Sequence, residues 1–204
     1  MSTYQKLKLI ESQSPRELAE EYNRAREQLG VEQNNVHSIR DRIEGSYLVR
    51  THFYGANIVT TDGNVYYAQK AAAETPTNDF AGTNGRLGLR VATDTPAAAD
   101  NYSNVATPLA ASSIVKETGY PRTNDPDSLN AVSNKTRKVT WKYIHNTATG
   151  NHTTIYGGFI HAGGDTPSGT IPLLCHFTYA GTVPFEKTSS DTLTSYVNHE
   201  LLGS

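Results

Sequence analysis

The side chains best suited to chemistry are the histidines of the second half of the chain, His145, His152, His161, His176 and His199. Imidazoles on adjacent strands can converge on a metal ion when carboxylates or thiolates complete the set. Here no two stand in an HxH or HxxxH spacing, and their neighbours are mostly Thr and Asn. The pattern reads as half-exposed strand histidines, and no metal or cofactor is expected. Glycoside hydrolysis would need two carboxylates across a groove. Asp125, Asp127 and Asp165 stand instead beside Pro, Ser and Gly, where a short carboxylate caps its own turn. The run Asp125-Pro126-Asp127-Ser128 is oxygen-rich enough for a loose calcium loop, but turn chemistry accounts for it. Neither Gly82-Thr83-Asn84-Gly85-Arg86 nor Gly157-Gly158 opens a helix, so neither reads as a phosphate cradle. A chain without acid pair, nucleophile and base, metal spacing or phosphate loop is expected to be non-enzymatic. Cys175 is the one cysteine; between Leu174 and His176 it reads as a buried structural thiol.

The elements that must position these residues are mostly strands. Residues 139–202 alternate in four runs, 139–145, 153–160, 171–179 and 191–199, broken by Gly, Asn, Asp and Ser clusters. Short runs rich in Thr, Val, Ile, Tyr and Phe predict an antiparallel β-sandwich of jelly-roll or Ig-like type. Upstream, 46–58 alternates, Thr60-Thr61-Asp62-Gly63-Asn64 reads as a hairpin turn, and Val65-Tyr66-Tyr67-Ala68 as the return strand. Trp141, Ile155, Leu174 and Val197 are expected in one core with Phe53, Tyr47 and Val49, or with the alternates Leu48 and Tyr54. The strand tyrosines, among them Tyr54, Tyr143 and Tyr196, either line a sugar-binding face or bury their rings and keep the hydroxyl wet.

Two other zones differ in character. Ser14-Pro15-Arg16-Glu17 is a capping box with Pro at the first helical position. Behind it Leu18, Tyr22, Ala25, Leu29, Val36, Ile39 and Ile43 fall on one stripe at coiled-coil spacing, with Glu32 the polar break. Residues 1–45 therefore read as an N-terminal helical arm for oligomerisation or partner docking. Gly30 leaves a second arrangement open, two short helices forming a hairpin on their own domain. Residues 46–204 form the sandwich domain, interrupted by a loop-rich insertion over 71–136 with scattered apolar anchors.

Composition narrows the partners. A net charge of −2 gives no footprint for nucleic acid, and Lys135, Arg137, Lys138 and Lys142 are too few to make one. No apolar run approaches the ~20 residues that span a bilayer, so no membrane is expected. Met1-Ser2-Thr3-Tyr4-Gln5-Lys6 lacks the apolar stretch of an export signal, and a single cysteine suits a reducing cytoplasm.

The closing stretch, Phe185-Glu186-Lys187-Thr188-Ser189-Ser190-Asp191-Thr192-Leu193-Thr194 with Tyr196-Val197-Asn198-His199, resembles the end of many tailed-bacteriophage virion proteins. Tyr54-Gly55-Ala56-Asn57 and Thr60-Thr61-Asp62-Gly63-Asn64-Val65-Tyr66-Tyr67 are similar to parts of phage structural proteins as well. The resemblance runs from about residue 47 onward and brings no catalytic residue with it. It implies a virion protein made in the host cytoplasm, most simply a decoration or cement protein on the major capsid protein or other virion proteins. A homo-oligomer, trimer or dimer, is expected. The alternative it leaves is a tail or neck component, fibre- or adhesin-like, that binds host surface glycans.

Overall fold

The computed structural model describes residues 8–11, 35–81, 84–123, 138–164, 167–180 and 184–200. Their strands are β1 (Lys8–Glu11), β2 (Asn35–Glu44), β3 (Tyr47–Val59), β4 (Arg86–Arg90), β5 (Ile114–Val115), β6 (Arg122–Thr123) and β7 (Lys138–His145). After these come β8 (His152–Ile155), β9 (Gly157–His161), β10 (Leu173–Tyr179), β11 (Phe185–Lys187) and β12 (Asp191–Glu200). One α-helix, α1 (Thr61–Ala71), stands among the described residues.

Ten strands make one sheet in the order β5-β4-β9-β10-β3-β2-β12-β7-β6, with β1 added in parallel beside the start of β3. The other neighbours are antiparallel. Just past β5, Lys116 bridges Tyr143 of β7, and the Glu117 N–H donates to the Lys142 carbonyl at 2.7 Å. The two ends of the strand order thus meet, and the antiparallel sheet is nearly closed like a barrel. The mainly β, antiparallel architecture expected from the sequence is present in that form.

Period-two alternation decides what the sheet encloses. Val139, Trp141, Tyr143 and His145 of β7 are buried, and so are Leu193, Ser195, Val197 and His199 of β12. The register sets Val197 between Val36 and Trp141, and Ser195 between Ser38 and Tyr143. The expected partners Trp141, Ile155, Leu174, Val197 and Phe53 do share the core. Tyr47 does not: it is 45% exposed, and Leu48, Val49 and Tyr54 are half-buried. Strands β9 and β10 are buried along almost their whole length, because the connection after β4 lies across their outer side.

Two segments fold otherwise than their sequence suggests. Asn35–Glu44 is a strand at the centre of the sheet, so the helical reading of Val36, Ile39 and Ile43 is corrected. Spacings of three and four that share a helix face send Val36 inward and Ile39 outward on a strand. Val36 is fully buried, whereas Ile43 is 58% exposed beside the β2–β3 turn at Gly45. The arm residues Leu18, Tyr22, Ala25 and Leu29 lie outside the described residues.

The second correction concerns Asp62-Gly63, which opens helix α1 and makes no hairpin. The Thr60 hydroxyl caps the helix by accepting the Gly63 N–H at 3.1 Å, and Asp62 in the first turn and Lys70 in the last complement the helix dipole. Gly63 is required by space: a Cβ there would lie 2.1 Å from the Leu174 carbonyl oxygen. The true partner of β3 in the hairpin is β2.

Candidate functional site

On the outer face, the register of four strands sets Tyr54, His37, Tyr196 and Lys142 in one row, from β3 through β2 and β12 to β7. The His37 ring stacks on Tyr54 with centroids 4.5 Å apart and 6° between planes, and Tyr196 follows at 6.1 Å. His52 extends the stack on the β3 side, 2.9 Å from His37 between ring nitrogens. At the other end the Lys142 ammonium lies 5.9 Å from the Tyr196 ring and 5.8 Å from Tyr120, close enough for cation–π attraction. Along the same face Arg50 grips Asp41 through two hydrogen bonds of 2.7 and 2.9 Å. All these side chains are half-buried. The row gathers aromatic rings, imidazoles and one ammonium on a single face of the sheet.

The histidines named by the sequence are not brought together, and most are not half-exposed. His145, His161, His176 and His199 are fully buried. Among the described residues no three His, Cys, Asp or Glu side chains form a metal-binding group. His199 meets the Tyr67 hydroxyl at 2.5 Å, which in turn accepts the Trp141 indole N–H at 2.8 Å, and burial pulls its pKa down to about 3. His161 meets Ser113 at 3.3 Å. His176 donates from Nδ1 to Asp100 at 2.7 Å and faces Asp94 at 3.4 Å from Nε2. Burial lowers the His176 pKa against the pull of those two carboxylates. Arg90, also fully buried, pairs with Asp94 at 2.7 Å and donates to the carbonyls of Ala92 and Phe177 and to the Thr178 hydroxyl. This cluster straps the connection after β4 onto β9 and β10. Cys175 is buried and its thiol is pushed up to about 12, in keeping with a structural role. Asp125, Asp127 and Asp165 lie outside the described residues.

A further polar cluster sits where the β7–β8 turn meets β11. Lys187 is 1% exposed, and its ammonium donates to the Asn146 carbonyl and to Asn151 Oδ1, both at 2.7 Å. Asn151 is fixed in turn, its Nδ2 donating to the Thr147 carbonyl at 2.8 Å. Gly150, at φ +70°, lets the turn close on His145; a Cβ there would be 3.0 Å from His145 Cδ2. Burial lowers the Lys187 amine to about 8, with the Asp191 charge opposing. Burial, with a smaller push from the Lys187 charge, takes His145 down to about 4 against its bond to the Ser112 carbonyl. The Asp191 carboxylate is meanwhile held by Arg42 at 2.6 and 2.8 Å and by the Thr188 N–H at 2.6 Å.

Neither Arg90 nor Asn151 stands out in the sequence as a functional residue, and Lys187 enters there only within the phage-like C-terminal stretch. A signal for Lys187 was present: in Phe185-Glu186-Lys187 the period of two sends Lys187 to the side of buried Phe185. The chain matches no protein-family model, no curated protein and no solved structure.

Proposed function

We propose that this protein is a non-enzymatic structural component of a tailed-phage virion, made in the host cytoplasm, which decorates or cements the capsid through the outer face of β3, β2, β12 and β7. The observation that carries the proposal is the row Tyr54–His37–Tyr196–Lys142–Tyr120 across that face. Three tyrosine rings on one half-buried strip suit a protein interface, whose core is enriched in aromatic side chains. The virion assignment is supported by the resemblance of residues 185–199 to the ends of tailed-phage proteins. A protein partner fits better than a glycan, because sugars seek open ring faces, and here Tyr54, His37 and Tyr196 turn their faces on one another. Surface buried only in the assembled shell stabilises that shell by mass action.

The test is release of DNA from purified particles on heating, with and without added protein. Later release with the wild-type chain, and none of that protection with Tyr54→Ala/Tyr196→Ala, is the expected result. Identical release curves would redirect the assignment to a tail or neck component that binds host glycans.

A further inference from the structure

A buried amine meets no soluble substrate; it meets only its neighbours. Lys187 is an unusual resident of a β-protein interior, since lysine is almost never fully buried without a carboxylate directly on it. Its ammonium touches two amide oxygens and no acid. Of these, the Asn146 oxygen belongs to the main chain, whereas Oδ1 belongs to a carboxamide whose nitrogen can leave. That carboxamide is oriented for the purpose: Nδ2 is tied back to Thr147, so Oδ1 and the carbon behind it are presented to the amine. The backbone pairing keeps the two segments side by side. Lys187 is in the β8–β11 pair, opposite His152, and Asn151 immediately precedes that residue.

We infer that Lys187 and Asn151 are the two halves of an intramolecular isopeptide bond that the folded chain forms by itself. The Lys187 Nζ lone pair adds to Asn151 Cγ, a new C–N bond forms, and the Cγ–Nδ2 bond breaks. One proton passes from Nζ to the departing nitrogen, which leaves as ammonia. No oxidant, reductant or other reactant is consumed. The reaction needs the amine uncharged, and an amine lowered to about 8 is uncharged in an appreciable fraction near neutrality, unlike an ordinary lysine. The Asp191 charge opposes that lowering, and burial outweighs it. Asn151 itself is exposed, so ammonia and the proton have a direct way out. The product would staple the β7–β8 turn to β11, closing a loop between positions 36 apart.

The experiment is intact-mass spectrometry of the full-length chain, denatured after incubation at neutral pH and at a pH above 8. The expected result is a mass lower by one ammonia, with a larger converted fraction at the higher pH. Proteolysis should yield a branched peptide joining the Lys187 and Asn151 segments. Lys187→Arg and Asn151→Ala should each restore the full sequence mass. A wild-type chain that keeps its full mass at both pH values overturns the inference without reference to any variant. So does an ammonia loss that persists in Lys187→Arg, which would place it at another amide.

Discussion

The outer face of β3-β2-β12-β7 and the outer face of β9-β10 belong to one sheet but treat polar groups in opposite ways. On the first, Asp41 and Arg50 are each about 30% exposed in their side chains, and half-buried rings stack on one another. On the second, the connection after β4 covers Arg90 and His176 completely, and the carboxylates of Asp94 and Asp100 are drawn in with them. An exposed pair contributes ~0–1 kcal/mol because water and salt compete with it. A buried pair is costly to assemble, and removing one partner strands the other at a cost of ~3–5 kcal/mol. One face therefore has side chains that can be exchanged for function. The other is locked.

The largest effects should come from breaking the locked side and the core behind it. Trp141→Ala removes a fully buried indole that also donates to Tyr67. It should cost about 3–5 kcal/mol, read as a lower midpoint in urea unfolding. Arg90→Met keeps most of the volume but leaves Asp94 without its cation and the Ala92 and Phe177 carbonyls without their donor. A loss of about 3 kcal/mol or more is expected. If Arg90→Met unfolds at the wild-type midpoint, the strap contributes nothing and the contrast between the faces fails.

Acid sharpens the same contrast. His145 and His199 are held near 4 and 3 in the folded chain, against about 6.5 when unfolded. Above that unfolded value neither state binds the extra proton, so these histidines make stability independent of pH there. Below it the unfolded chain takes up protons that the folded chain refuses, and stability falls by ~1.4 kcal/mol per pH unit for each histidine. The fall continues until the folded values near 4 and 3 are reached. Asp191, whose carboxyl is held below its usual value mainly by Arg42 and Thr188 against its burial, loses stability in the same acid direction. Urea midpoints taken from pH 7 down to pH 4 should drop steeply, and His199→Phe should flatten the drop. An unchanged slope in that variant would remove His199 from the account.

The strands of the second half were legible because their alternation is regular and one face is buried; Val139 to His145 shows this best. Residues 35–44 misled because Val, Ile and Ile at spacings of three and four fit a helix stripe, while the strand's inward partners there include Ser38, Arg40 and Arg42, polar residues that a pattern of apolar side chains does not register. Asp62-Gly63 misled because glycine was read for its backbone freedom, when the site needs it to fit beneath the Leu174 carbonyl. The outer row was half visible. Tyr54 and Tyr196 stood out as strand aromatics, but which of the tyrosines share a face depends on the register of strands more than a hundred residues apart. The Lys187 cluster was hidden for the same reason, since Asn151 and Lys187 meet only through the β8–β11 pairing.

The smallest stability effects belong to the outer row, and there function should separate from folding. Tyr196 is half-buried, with neighbours His37 and Lys142 whose own attachments to β2 and β7 do not depend on it. Each cross-strand pair of this kind is worth roughly 0.2–1 kcal/mol, and Tyr196 pairs with both His37 and Lys142. Tyr196→Ala should therefore cost about 2 kcal/mol or less, below the losses expected at Trp141 and Arg90. Reversing Asp41 and Arg50 together re-forms that pair with its ends exchanged and should cost about 1 kcal/mol or less. Docking should respond differently, since tyrosine is among the side chains that carry a disproportionate share of interface energy. The expected outcome is a Tyr196→Ala chain that still folds but no longer sediments with capsids. If it sediments like wild type, the row is only a cross-strand ladder, and the contact surface must lie elsewhere on the barrel.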